Sequence, residues 1–181
     1  MFEIVPYLQS NGAYTLNDNV MLGIWQEICQ NGIKEQVFYE GGIKDAETWM
    51  KMIKHPSTVL HTIWSKDFKK VAMVAWLNSV GRNHATCHQF CMPWTWGKHT
   101  VELGKMTLDY WFDLKKDNKP ILDTIIGKTP EHLRAATIFL RKMGLTVLGM
   151  IPHIGFDYYG SKTVGIVVSY ITREEWRMKN G

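Results

Sequence analysis

The stretch "TPEHLRAATIFLRKMGLTVLG", Thr129–Gly149, decides how this chain folds. Thr129 predicts a helix N-cap and Pro130 the first helical position, where the N–H that proline lacks would have no intrahelical partner anyway. Leu133, Ala136, Leu140 and Met143 recur at helical spacing and predict a buried stripe, with Glu131, Arg134, Arg141 and Lys142 facing water. Gly144 supplies a left-handed stop, and "LTVLGMIP" beyond it reads as a strand. Helix, glycine, strand is a fragment of an α/β domain, and its neighbours say which kind.

Upstream, "KPILDTIIG" reads as an apolar strand, preceded by a long helix from about Gly97 to Lys115 with Val101, Lys105, Leu108 and Trp111 or Phe112 in register. Before that helix come three segments rich in β-branched and aromatic residues: "STVLHTIWS" (Ser57–Ser65), "KVAMVAWLNSV" (Lys70–Val80) and "HATCHQFCM" (His84–Met92). The turn signals "KDFK" and "GRN" separate them, so they predict an antiparallel meander. At the front, Phe2–Tyr7 reads as a strand. Val20, Ile24 and Ile28 mark a helix capped by Asn17 or Asp18 and stopped by Gly32, and "KDAETWMKMIKHP" is a second helix. At the far end "TVGIVVSYITR" is a last strand, reached through "HIGFDYYGSK". The order of strand, two helices, three strands, helix, strand, helix and two strands predicts one mixed α/β domain over residues 1–181, built on a central sheet.

Composition narrows the class. Of 181 residues, 45% are hydrophobic, enough to build a core. Twenty-one basic residues against 17 acidic ones give a net charge of +4, which suits an anionic ligand. The longest basic clusters, "KDFKK" and "DLKKDNK", carry aspartates and form no basic stripe, so nucleic acid is not an expected partner. Three cysteines, an amino end lacking a basic head and long apolar run, and no apolar stretch near the ~20 residues of a bilayer span predict a soluble cytoplasmic protein without a membrane partner.

With Ala136, the Phe139–Leu140 pair, Gly144 and Leu145 placed as they are before "TVLGMIP", the chain resembles the GCN5-related N-acetyltransferase (GNAT) superfamily over nearly its whole length. The resemblance implies an acyl-CoA N-acyltransferase fold: a mixed central sheet with a V-shaped splay between strands 4 and 5, His84–Met92 and Lys119–Ile126. Acyl-CoA, with acetyl-CoA as the implied cofactor, would enter that splay, its pantetheine pairing with strand backbone and its pyrophosphate resting on a helix N-terminus, while an amine serves as acceptor. The implied anion-binding turn is "MPWTWGKHTVELG", which nominates Trp96, Gly97, Lys98, His99 and Thr100 for the coenzyme. The strand backbone near Cys91 would polarise the thioester carbonyl.

This sequence departs from the family pattern in two ways. In neither register about Gly97 does the turn reproduce the usual Gln or Arg, two residues, Gly, one residue, Gly or Ala. Leu140 stands where many members carry a tyrosine that protonates the departing thiolate, and Leu133 where an asparagine is frequent. Leucine donates no proton, so the acid falls to Tyr158 or Tyr159, and the base to His88, Glu40 or Glu102. The preserved scaffold with an eroded turn also resembles phage-encoded relatives described as internal virion or head-assembly proteins. That likeness lies in the "GK" opening the long helix and in "RAATIFLRKMG". It implies an alternative: a catalytically inactive bacteriophage virion or assembly protein, in host cytoplasm or virion, acting through protein contacts.

Two further constellations have competing readings. "HATCHQFC" would gather His84, Cys87, His88 and Cys91 on one face of a helix as a zinc site, but on a strand His84 and His88 point opposite to Cys87 and Cys91. The flanking "GRN" and Pro93 predict the strand, and so no metal. In "WTWGK", Trp94 and Trp96 either anchor the long helix or offer a stacking surface to a protein partner.

Overall fold

The computed structural model describes residues 1–10 and 12–180. Its main sheet comprises β1 (Phe2–Pro6), β2 (Val59–Ser65), β3 (Lys70–Asn78), β4 (His84–Cys91), β5 (Thr124–Pro130), β6 (Thr146–Asp157) and β7 (Lys162–Thr172). They lie in the order β1-β2-β3-β4-β5-β7-β6. Every neighbouring pair is antiparallel except β4 and β5, which run parallel. The helices are α1 (Asp18–Gln30), α2 (Lys34–Val37), α3 (Ala46–Ile53), α4 (Thr100–Phe112), α5 (Arg134–Lys142) and α6 (Arg173–Asn180).

The meander forms because its turns leave strands that alternate between two buried faces. On one face Leu60, Val74, Trp76 and Phe90 pack against Met21, Ile24 and Ile28 of α1 and Trp49 of α3. On the other, Ala75, Leu77, Cys87 and Ile125 meet Leu108, Trp111 and Phe112 of α4, Leu140 of α5 and Trp176 of α6. Asn17 caps α1 by accepting from the Val20 N–H at 3.0 Å. Asp45 and Thr48 close a reciprocal capping box at the start of α3.

Helices α4 and α5 approach closely because residue 104 is glycine. A Cβ there would sit 2.0 Å from Met143 Sδ and 2.8 Å from Phe139 Cζ. Gly104→Val must therefore displace the Met143 side chain and the Phe139 ring, and we expect a loss of ~2 kcal/mol of unfolding free energy in urea titration. A loss under ~0.5 kcal/mol would show that the contact has slack.

Thr129 and Pro130 do not start the helix: they end β5, in register with Val167 and Ile166 of β7. Cross-strand pairing overrides the local capping signal. Helix α5 starts at Arg134, with Leu133 at the N-cap and no side-chain cap. Strand β5 therefore spans Thr124–Pro130 rather than Lys119–Ile126, and Lys119–Pro120 instead pairs with Lys115–Lys116 in a separate small hairpin. Helix α6, after the last strand, was not anticipated.

Candidate functional site

The parallel ladder between β4 and β5 runs from His84↔Thr124 to Cys87↔Gly127 and stops, although β4 continues to Cys91 and β5 to Pro130. Each remains paired on its outer side, Cys91 with Met73 and Pro130 with Ile166. The sheet therefore opens as a V between strands 4 and 5.

Ladder alternation fixes which backbone groups face the opening. Met92 N–H donates to the Ala72 carbonyl at 2.9 Å, so along β4 the even-numbered residues bond β3 and Gln89 and Cys91 turn toward β5. Glu131 N–H donates to the Gly165 carbonyl at 2.9 Å, so Gly127 and Thr129 bond β7 and Lys128 and Pro130 turn toward β4. Past the last rung, the N–H groups of Gln89 and Cys91 and the carbonyls of Gln89 and Lys128 have no strand partner. Pro130 presents no N–H, and its carbonyl accepts from Leu133 N–H at 3.0 Å. The Cys91 carbonyl accepts from the Trp96 indole at 3.0 Å.

A cavity of about 890 Å³ runs through the opening. At one end it is lined by Trp96, Gly97, Thr100 and Val101 at the amino end of α4, and in the middle by Gln89, Cys91, Lys128 and Thr129. At the other end lie Phe38, Trp76, His88 and Phe90, with Tyr39 and Glu40 from the loop after α2. Gly97 has φ +77° and open space where a Cβ would stand, so the turn lets backbone approach a ligand. The amino end of α4 has no side-chain cap, which leaves N–H donors and the positive end of the helix dipole for an anion.

Of the residues nominated from sequence, Glu40, His88, Cys91, Trp96, Gly97 and Thr100 line this cavity. Lys98 and Glu102 are exposed outside its wall, and His99 Nδ1 lies 3.1 Å from Glu102 Oε2, with its ring edge-on to Phe2. Tyr158 is also exposed and off the wall. Its N–H donates to the Tyr39 carbonyl at 2.7 Å, bracing the Tyr39–Gly42 loop. Trp94 is tied down through its indole to the Val71 carbonyl at 3.0 Å and packs beside Phe2 and Phe68, whereas Trp96 is exposed at the cavity mouth. His88 and Cys91 face opposite sides of the sheet, and no cluster of three or more metal-ligating side chains occurs among the described residues. No described helix is long and apolar enough to cross a membrane.

Electrostatics at the site follow burial. The His88 ring lies flat against Trp76, 5.1 Å away and 7° from parallel, and its Nε2 has no partner. Burial, aided by the charge of Lys128, pushes its pKa down to about 4, so the imidazole is neutral at pH 7. Burial raises the Cys91 thiol to about 12, which leaves its backbone rather than its sulfur as the useful group. Tyr39 donates to Glu40 at 3.2 Å, and burial above all holds its hydroxyl protonated.

At the aromatic end, Glu40 and His88 were named from sequence as candidate bases, while Phe38, Tyr39, Trp76 and Phe90 were missed. The pairing of Trp76 with His88 follows from the register of β3 and β4, which the "GRN" turn signals only approximately.

No protein-family model matches the chain, and no curated protein matches it either. Solved structures do match. Spermidine N-acetyltransferase from Vibrio cholerae, in complex with CoA and spermine, superposes with a TM-score of 0.74 at 14% identity, covering 97% of this chain and 98% of that one. Ribosomal-protein-S5-alanine acetyltransferase from Vibrio fischeri superposes with a TM-score of 0.70 at 10% identity, covering 97% and 94%. Element order, the lone parallel pair and its divergence thus agree: this chain has the GNAT-like acyl-CoA N-acyltransferase fold.

Proposed function

We propose that the protein is an acyl-CoA-dependent N-acyltransferase that moves an acetyl group to an amine. The observation that carries this reading is the opening of β4 from β5 after Cys87 and Gly127, with a cavity running through it. The residues present fit such a substrate. The pantetheine arm carries two amides, and Gln89 and Lys128 offer N–H and carbonyl groups for them. The Cys91 N–H is the donor placed to polarise a thioester carbonyl. Trp96, Gly97, Lys98, His99 and Thr100 form the turn assigned to the pyrophosphate, where the α4 amino end favours negative charge. Acyl-CoA, when bound, would supply the activated acyl group as a thioester.

In the transfer, the amine nitrogen bonds the acyl carbon, the carbon–sulfur bond breaks, and the one N–H proton that nitrogen loses passes through the base and ends on the departing sulfur, which leaves as a thiol. Neutral His88, with its Nε2 unpartnered at the aromatic end, is the base we assign. Glu102 and Tyr158 would need to act from outside the cavity wall.

Titration with acetyl-CoA and CoA, followed by calorimetry or thermal shift, tests the reading. Gly97→Glu places a carboxylate against the pyrophosphate and should weaken CoA at least 100-fold, while Gly97→Ala reports the backbone strain alone. No stabilisation of the unmodified protein at millimolar CoA would overturn the reading and leave the assembly-protein alternative standing.

A further inference from the structure

The aromatic end of the cavity says what kind of amine it accepts. We infer that the acceptor is a primary monoamine on an apolar or aromatic body, and not a polyamine; this rests on the acyltransferase reading and specifies its substrate.

Shape and surface come first. Phe38 stacks on Trp76 at 5.8 Å and 23°, His88 stacks on the same indole, and Phe90 meets it edge-on at 6.2 Å. These four side chains line the cavity together with Met52 and Ile43. They form an apolar chamber with flat walls, suited to a ring or short hydrocarbon and poor at solvating charge. The Trp76 indole is already engaged by two rings, so it is a poor partner for a cation.

Charge is the second observation, and it is independent of shape. Across the whole cavity the charged lining residues are Glu40, Lys128 and Lys142. Lys128 lies in the middle of the cavity, beside the slot assigned to the coenzyme, and Lys142 at the end of α5, so Glu40 is the single charge at the aromatic end, and burial keeps His88 neutral. Glu40 stands exposed at the rim, hydrogen-bonded by the Tyr39 hydroxyl, where it can meet one incoming ammonium. A polyamine brings three or four positive charges. One could pair with Glu40, and the rest would face hydrocarbon and aromatic wall. A monoamine leaves no such surplus, because the nitrogen that enters is the one that reacts and must lose its charge to do so. The superposed spermidine N-acetyltransferase, solved with spermine, shares the fold at 14% identity, so the fold does not carry the acceptor.

The test is a liberated-thiol assay with acetyl-CoA against 2-phenylethylamine, tryptamine, spermidine and spermine, run beside a CoA thermal shift. We expect kcat/KM for the aromatic monoamines to exceed that for the polyamines at least 10-fold. Ile43→Glu, in the loop before α3, adds a second carboxylate and should raise the spermidine-to-phenylethylamine ratio at least 5-fold, with a melting curve confirming the fold. Polyamines preferred by the unmodified protein, with CoA still stabilising it, would overturn the acceptor assignment and leave the acyltransferase standing. Turnover of none of the four amines despite CoA binding would also overturn it. Absence of both CoA stabilisation and turnover would remove both proposals.

Discussion

Trp49→Ala should remove ~4 kcal/mol of stability and lower the melting temperature by about 10 °C. Trp49 is fully buried, lies 5.9 Å from Trp25 in a stacked arrangement and edge-on to Phe38, and donates its indole N–H to the Met21 carbonyl at 3.1 Å. Truncation leaves a cavity and removes the indole hydrogen bond that ties α3 to the Met21 carbonyl of α1. It also frees Phe38, which stacks on Trp76, so the aromatic chamber loses a wall prop. Trp49→Phe keeps much of the volume and should lose roughly half as much. Chemical denaturation with unchanged m-value measures it, and a loss below ~1 kcal/mol for the alanine variant would show that α1 and α3 do not pack as described.

Acidification should destabilise the protein well above the range in which carboxylates titrate. His61 is fully buried, its Nε2 3.3 Å from Thr107 Oγ1 and its Nδ1 without a partner, and burial pushes its pKa down to about 3. His88 is pushed down to about 4. In the unfolded chain both titrate near ~6.5. Above that value both are neutral in either state and pH has no effect through them. As pH falls below it, the unfolded chain binds protons that the folded one refuses, and stability drops until the folded pKa values are reached. By pH 4 each histidine should have removed roughly 3 kcal/mol. Melting temperature against pH should therefore be flat from 8 to 7 and fall steeply from about 6.5 to 4. His88→Phe, which preserves the ring against Trp76, should reduce that slope. A melting temperature unchanged between pH 7 and 4.5 would refute the burial of these rings as neutral groups.

Much of the architecture was legible because periodicity and turn chemistry agree there. The three meander strands, the long helix before the fifth strand and the helix ending at Met143 come from residues whose local preference and tertiary role coincide. The errors fall where they conflict. "TP" at Thr129–Pro130 has the chemistry of a helix start, yet both residues remain in the sheet because β7 runs alongside. No single-segment reading contains that partner. Helix α6 was legible but unread: Thr172 and Glu175 form a reciprocal capping box, with the Glu175 N–H bonded to Thr172 Oγ1 at 3.1 Å and the Thr172 N–H to Glu175 Oε2 at 2.9 Å. At the candidate site, Cys91, Trp96, Gly97 and Thr100 were found through one turn and one strand end. Phe38, Tyr39 and Glu40 were not nominated as a group, because a four-residue helix and a short loop carry no periodic signal.

Pro130 has a kinetic consequence. An imide nitrogen at the tip of β5 leaves the Gln89 carbonyl without a donor opposite, so closing this end would forgo a rung and the open slot is favoured before any guest arrives. A preorganised entrance needs no strand separation during encounter. On the acyltransferase reading proposed above, stopped-flow association of CoA should then be a single phase, linear in concentration, with no slow opening step to saturate it.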